Sequence, residues 1–308
     1  MQLSLGSDTQ VVKLSVSDVR TAIFCTLAYA DVFDYPLTTG EVHRYLIACQ
    51  AGRQEVRSIL DALPAEQVLA EGGLWALPGR RALFALRRRR AALAQGLWPL
   101  ALKYGRRIAA LPFVRMVAIT GALAADNVDA GADLDYLVIT RPGYLWVTRA
   151  MILALDRAAF RSPARLCPNF ILAESHLALE DRDLFAAQEL ARMVPIAGQI
   201  TYEAMRAQNG WTAAFLPNAH GLPRGLRAGH KTNGWLKNAS EGLLATAPTR
   251  WLETWEMRRK IAKFSLQTSM NAETRFSADF CKGHFDGHKQ RTLAAFHARL
   301  NSLGLAAP

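Results

Sequence analysis

The stretch that most constrains this chain is VRMVAITGALAADNVDAGADLDYLVIT, residues 114–140. An apolar run rich in β-branched residues ends at Thr120-Gly121 and reads as a strand. Gly121 lets the backbone approach a ligand closely, and Ala122 keeps the opening small. ALAA suits the start of a short helix, whose free N–H groups favour a phosphate. A polar, glycine-containing loop then leads into Asp133-Leu134-Asp135 and a second apolar strand. Residues two apart on a strand share a face, so Asp133 and Asp135 are expected to project together. Adjacent carboxylates repel each other unless cations neutralise them. They are hard oxygen ligands suited to Mg²⁺ (or Mn²⁺), an ion that completes its shell with substrate phosphates and water. Two such ions can stabilise the attacking and leaving oxygens of an in-line displacement.

The pattern around this stretch predicts an α+β chain. Residues 111–200 alternate strands and helices: VRMVAIT, DLDYLVIT and PNFILAES as strands, YLWVTRAMILALDRAAF as a helix. That order gives a small mixed β-sheet with helices packed on it. Residues 1–79 read as three helices and a hairpin, the order of a winged helix. Ser17 is expected to cap the first helix and Thr38 or Thr39 the second, with Glu41 near the capping-box position. The third runs from Arg53 to Leu63, and the hairpin turns at Glu71-Gly72-Gly73. Arg53 and Arg57 would meet a nucleic-acid groove if the unit binds one. A packing or dimerisation module is the other reading. Residues 80–110 form a basic linking helix carrying Arg87 to Arg90, which fan around it, so that some must face solvent or an anion such as a nucleic-acid backbone. Pro99 should kink or divide this helix. Residues 201–308 read as a helical C-terminal region. Tyr202–Asn209, Trp251–Ser269 and Gln290–Leu303 are its helices, and the Gly-, Pro- and His-rich stretch Phe215–Thr232 is an exposed connection.

Gly121-Ala122, then Asp133-Leu134-Asp135 twelve positions after Gly121, then Tyr136-Leu137-Val138-Ile139, resembles the signature of the DNA polymerase β-like nucleotidyltransferase superfamily. That signature is an apolar strand, Gly with Ser or Gly after it, about a dozen residues, and Asp-x-Asp or Asp-x-Glu in a second strand. Ala122 stands where the family usually has Ser or Gly. A hydroxyl that would help hold phosphate is therefore missing, which admits a degenerate member. The phrases YADVFDYPLT, TGALA, LWVTR, NGWTAAFLPN and CKGH also resemble a bacterial group of predicted nucleotidyltransferases along most of the chain.

The resemblance implies an NTP bound at Thr120, Gly121 and Ala122, with metal on Asp133 and Asp135. A nucleoside monophosphate would pass to RNA, DNA or another hydroxyl or phosphate acceptor, releasing pyrophosphate. The superfamily often adds a third carboxylate from a later strand, and Glu174 at the end of FILAES is the candidate; a strand-end glutamate facing water is the alternative. Two roles are open to Arg149: a charge-assisted donor to the triphosphate, or a structural partner of Asp156. Arg141 is a weaker phosphate candidate. Asp126 and Asp129 read as solvated loop acids.

Other constellations carry less. Cys281, His284 and His288 have a zinc-like spacing but lack a fourth ligand, and two glycines interrupt the segment. Trp211, Trp235, Trp251 and Trp255 could stack on bases, but Trp251 and Trp255, four apart, more simply mark a core face. Asn209, Trp211, Pro217 and Asn218 form a polar-aromatic loop that could border a cleft. There is no GxxxxGK[ST], GxSxG or HExxH, which argues against a P-loop ATPase, a serine hydrolase and a zinc protease.

Composition narrows the partners. Thirty-seven Lys+Arg against 26 Asp+Glu leave a net charge of +11, favouring anionic partners. The four cysteines, Cys25, Cys49, Cys167 and Cys281, show no disulfide framework. No basic stretch leading into an apolar run opens the sequence, and the longest apolar segment carries Arg149. A cytoplasmic chain without a membrane partner is expected. Three readings stay open: an active nucleotidyltransferase, a nucleic-acid-binding protein with a degenerate core, and an enzyme modifying a protein or small molecule.

Overall fold

The computed structural model describes residues 18–159, 164–223, 234–265, 275–282 and 287–306. The chain is of the α+β class and contains two sheets.

The N-terminal unit contains α1 (Val19–Asp31), β1 (Leu37–Thr38), α2 (Thr39–Arg44), α3 (Arg53–Ala62), β2 (Leu69–Glu71) and β3 (Leu74–Ala76). Asp18, one residue later than the expected cap, starts α1 by accepting from the Thr21 amide at 2.7 Å. Thr38 and Glu41 form a complete capping box at α2. Gly72 and Gly73 both take positive φ, as a tight two-residue hairpin turn requires. The three strands pair antiparallel in the order β1-β3-β2.

Next comes α4 (Ala82–Ala110), a single helix running through Pro99 rather than dividing there. Its arginine run is divided, with Arg87 buried, Arg90 partly buried, and Arg88 and Arg89 exposed. Arg87 is buried and lies over the Tyr35 ring at 4.2 Å. Its guanidinium donates to the Tyr35 hydroxyl and the Asp126 carbonyl, each at 2.9 Å, and to Glu41 at 3.2 Å. Arg88 donates to Glu71, and Arg90 grips Asp129 with two bonds at 2.9 and 2.8 Å. The expected fan is seen, with Arg88 and Arg89 exposed, while Arg87 and Arg90 turn inward and tie the N-terminal unit and the loop after Gly121 to α4. Arg87→Met should cost about 3 kcal/mol, because it strands a partly buried Glu41 and a main-chain carbonyl. Arg57→Ala, which removes an exposed pair with Asp61, should cost under about 1 kcal/mol. Urea unfolding of both variants measures the contrast.

The second sheet has the order β7-β4-β5-β6-β9-β8. Its strands are β4 (Val114–Ile119), β5 (Leu134–Thr140), β6 (Leu166–Ala173), β7 (Val194–Ala197), β8 (Arg275–Phe276) and β9 (Phe280–Lys282). Only β5 and β6 run parallel. Between the strands lie α5 (Gly121–Ala124), α6 (Leu145–Ala158) and α7 (Leu184–Arg192), followed by α8 (Gln199–Gln208) and α9 (Thr212–Phe215). The C-terminal stretch supplies α10 (Trp235–Leu244), α11 (Ala247–Ser265) and α12 (His288–Ser302). It was expected to be helical, but it also contributes β8 and β9, and β9 pairs with β6.

Alternation along the strands makes two cores. Tyr136, Val138 and Ile171 pack with α4 and α6 on one face. Leu137, Ile139 and Leu172 pack with Leu190 of α7 and Met205 of α8 on the other. A third core joins α1, α2 and α3 to α7, α9 and α12.

Candidate functional site

The site is built at the end of β4. Thr120 donates its amide to the Asp135 carbonyl at 3.1 Å, locking the turn beside the start of β5. Gly121 then takes φ +63°, a conformation that side chains disfavour. There is a second reason for glycine. A Cβ at this position would lie 2.5 Å from the Asp135 carboxylate oxygen. The Asp135 carboxylate therefore lies directly over the glycine turn.

Asp133 is exposed and just precedes β5, whereas Asp135 is half-buried within it. Burial pushes the Asp135 carboxyl up to about 6, and the nearby carboxylates of Glu189 and Asp133 add to this. A hydrogen bond from the Cys167 thiol works in the other direction. Burial likewise pushes that thiol up to about 12.

Glu189 was not anticipated. It sits on α7, where Asp183 caps the helix by accepting from the Ala186 amide at 2.9 Å. Leu184, Ala187, Leu190 and Ala191 turn into the cores, and Glu189 is carried towards Asp135. Burial raises the Glu189 carboxyl, against the opposing charges of Arg192 and Lys282. The available signal was a charged pair, Glu189 and Arg192, in an otherwise apolar helix.

Two cavities meet at Glu189. One, of about 230 Å³, lies between the sheet and α7, with Thr120, Leu137, Asn169 and Phe170 on the sheet side and Lys282 and Lys289 at its edge. Both lysines bond Asp181, at 3.0 and 3.1 Å. Burial acts upward on the Asp181 carboxyl, but the two ammonium groups hold it below the usual carboxylate range. The other cavity, of about 280 Å³, lies on Gly121 and Ala122 and is walled by Tyr29, Phe33, Arg90 and Arg192.

The remaining expected residues fall elsewhere. Glu174 is the clearest correction. Asp135 pairs with Cys167 at one end of β6, while Ala173 pairs with Thr140 at the other. Glu174 follows Ala173, so it lies about 20 Å along the strand from the aspartate pair at ~3.3 Å per residue. It is 3.8 Å from Arg115. Parallel pairing of β5 and β6 puts the start of one beside the start of the other, which excludes a strand-end residue. Arg149 lines neither cavity; it stands on α6, on the opposite face of the sheet, and hydrogen-bonds the Cys281 thiol. Arg141 lies at the far end of β5, over the Tyr144 ring.

The loop acids are structural. Asp126 accepts from the Trp98 indole at 2.8 Å, and Asp129 holds Arg90. Asn209 is buried and knits its own surroundings, donating to the Leu177 and Met205 carbonyls. Asn218 donates to the His43 carbonyl. Neither borders the cleft. Of the zinc-like trio, Cys281 is buried in β9, His288 begins α12 against Phe185, and His284 lies outside the described residues. Among the described residues, no three His, Cys, Asp or Glu side chains come together as a ready-made metal cage.

The Asp135 carboxylate offers hard oxygens over the glycine turn with Asp133 nearby, and Arg192 lines the cavity on that turn. The donor set suits a metal that brings its remaining ligands with a phosphate substrate. Comparison with protein-family models, with curated proteins and with solved structures gives no match for this chain.

Proposed function

We propose that this protein is a Mg²⁺-dependent nucleotidyltransferase with a polymerase β-like core and an N-terminal winged-helix-like unit. One observation carries the reading: the Asp135 carboxylate covers a left-handed glycine turn at the end of β4, with Asp133 two residues away. Phosphate on that turn and metal on those carboxylates would be neighbours.

Asp133 and Asp135 hold the metal (Mn²⁺ can replace Mg²⁺), which when bound offsets the charge of the triphosphate and the leaving pyrophosphate. Burial chiefly raises the Asp135 carboxyl, and a cation there would relieve the added repulsion from Glu189 and Asp133. The NTP occupies the cavity on Gly121 and Ala122, where Arg192 faces its phosphates and Tyr29 and Phe33 offer apolar walls. The acceptor enters beside Thr120 and Asn169. Its oxygen attacks the α-phosphorus, the bond to the β-phosphate oxygen breaks, and pyrophosphate leaves. Glu189 replaces Glu174 as the third carboxylate. Its raised affinity for protons suits it to take the acceptor's proton.

Each α-labelled NTP, incubated with Mg²⁺ and with RNA, protein and metabolite fractions, tests the reaction class. Label transfer with pyrophosphate release is the expected result. Glu189→Gln should lower the rate by about 10²-fold or more, while Glu174→Gln should stay within about twofold. An unimpaired rate in Glu189→Gln would remove Glu189 from the mechanism.

A second reading, nucleic-acid binding by a degenerate core, draws on α3, whose exposed side carries Arg53, Gln54 and Arg57. It predicts salt-dependent RNA or DNA binding with no label transfer from any NTP.

A further inference from the structure

Helices α10 and α11 bury charged side chains: Lys237, Glu241, Glu253 and Glu256 are buried, while Met257 and Ile261 of α11 pack against the core. Lys237 donates to the Ala109 and Val114 carbonyls at 3.0 and 2.5 Å. Glu241 accepts from the Phe113 amide and from both terminal nitrogens of Arg115, each at 2.8 Å. Glu253 accepts from the amides of Trp146 and Val147, in the first turn of α6. These charge-assisted bonds fix how the two helices are rotated.

Their outward side chains are large and apolar. Trp235 is 78% exposed, Leu243 79%, Trp251 67% and Trp255 47%, with Leu236 and Leu252 beside them. Single exposed apolar residues are ordinary, but six on two consecutive helices mark an interaction surface. The Trp251 and Trp255 rings lie nearly parallel, 6.3 Å apart. They do not form the core face expected of their spacing. Around them Arg250, Arg258 and Lys263 are exposed, and Arg259 lies over the Trp255 ring at 5.2 Å.

We propose that this outward face of α10 and α11 docks on an anionic lipid surface. Tryptophan and leucine enter the interfacial layer while arginine and lysine meet the headgroups, the pairing found in helices lying in a membrane plane. Charge selects this occupant over a second copy, since a two-fold contact would press Arg250, Arg258 and Lys263 against their own counterparts. Nucleic acid would stack on the tryptophans but leave Leu236 and Leu243 wet. No described helix is long and apolar enough to cross a membrane, so the contact is one of surface docking.

Flotation of the full chain with vesicles tests this. Vesicles of phosphatidylcholine and phosphatidylglycerol should carry the protein, and phosphatidylcholine alone should carry much less. The combined variant Trp235→Ser, Trp251→Ser, Trp255→Ser should keep its circular dichroism and lose at least about tenfold in vesicle affinity. Arg258→Glu with Lys263→Glu should weaken binding to the mixed vesicles. Undiminished flotation of the tryptophan variant overturns the proposal. So does absence of flotation, or equal flotation with phosphatidylcholine alone. A wild-type dimer in sedimentation equilibrium, or an RNA mobility shift, that the tryptophan variant abolishes assigns the face to that partner instead.

Discussion

Asp135→Ala and Asp133→Ala are each expected to reduce nucleotidyl transfer by about 10³-fold or more while leaving a folded protein. Both carboxylates serve the same charge. A metal held by one carboxylate and substrate phosphates loses position as well as affinity. The folding consequences of the two variants differ. Asp133 is exposed, so its removal should leave stability within about 0.5 kcal/mol of the parent. Asp135 is half-buried beside Glu189, and its carboxyl is pushed up to about 6. A carboxyl held above its unfolded value near 3.9 binds its proton more tightly in the folded state. Its contribution is therefore favourable below about pH 4 and is lost as pH rises through about 6. In metal-free buffer, Asp135→Asn should be more stable than the parent above that range, by on the order of 1–3 kcal/mol, and should unfold with a flatter pH dependence. Thermal melts between pH 4 and 8 measure it. A variant that is both more stable and inactive would mark Asp135 as a functional rather than a structural carboxylate. Label transfer unchanged in both alanine variants would sink the assignment of the aspartate pair.

Gly121→Ala is the second large effect. The change is small in volume but meets two obstacles. The backbone sits at φ +63°, which costs a residue with a Cβ roughly 1–2 kcal/mol. The new methyl would also lie 2.5 Å from the Asp135 carboxylate oxygen, so either the turn or the carboxylate must move. Displacement of the carboxylate misplaces the metal, and a misplacement of about 1 Å can cost on the order of 10²-fold in rate. The expected outcome is a folded protein, less stable by about 1–3 kcal/mol and at least about 10²-fold slower. Gly131→Ala is the control: it has positive φ but nothing within 4 Å of its Cβ. It should show the conformational cost without the catalytic loss.

How far the sequence reached can be followed residue by residue. The strand and the glycine turn were legible because each rests on local chemistry, an apolar β-branched run and a positive φ; of the two aspartates, Asp135 lies in β5 and Asp133 just before it. The capping box at Thr38 and Glu41 and the hairpin at Gly72-Gly73 were legible for the same reason. The α+β class followed from the order of these segments.

Non-local pairing settled the rest. Whether Glu174 or Glu189 joins the aspartates depends on β6 running parallel to β5 and on which side of α7 faces the sheet, and neither leaves a signature in a single segment. The arginine run at Arg87–Arg90 looks cationic in sequence, yet its carboxylate and hydroxyl partners come from Glu41, Tyr35, Glu71 and Asp129, up to 52 residues away. The polar residues of α10 and α11 were free to point outward until the Phe113 amide and Val114 carbonyl claimed Glu241 and Lys237, and the Trp146 and Val147 amides claimed Glu253. Local preference thus determined the glycine turn and its aspartate pair, because backbone sterics and charge act over a few bonds. Tertiary packing decided which distant carboxylate, guanidinium and indole stand around them, because only burial and register fix those partners.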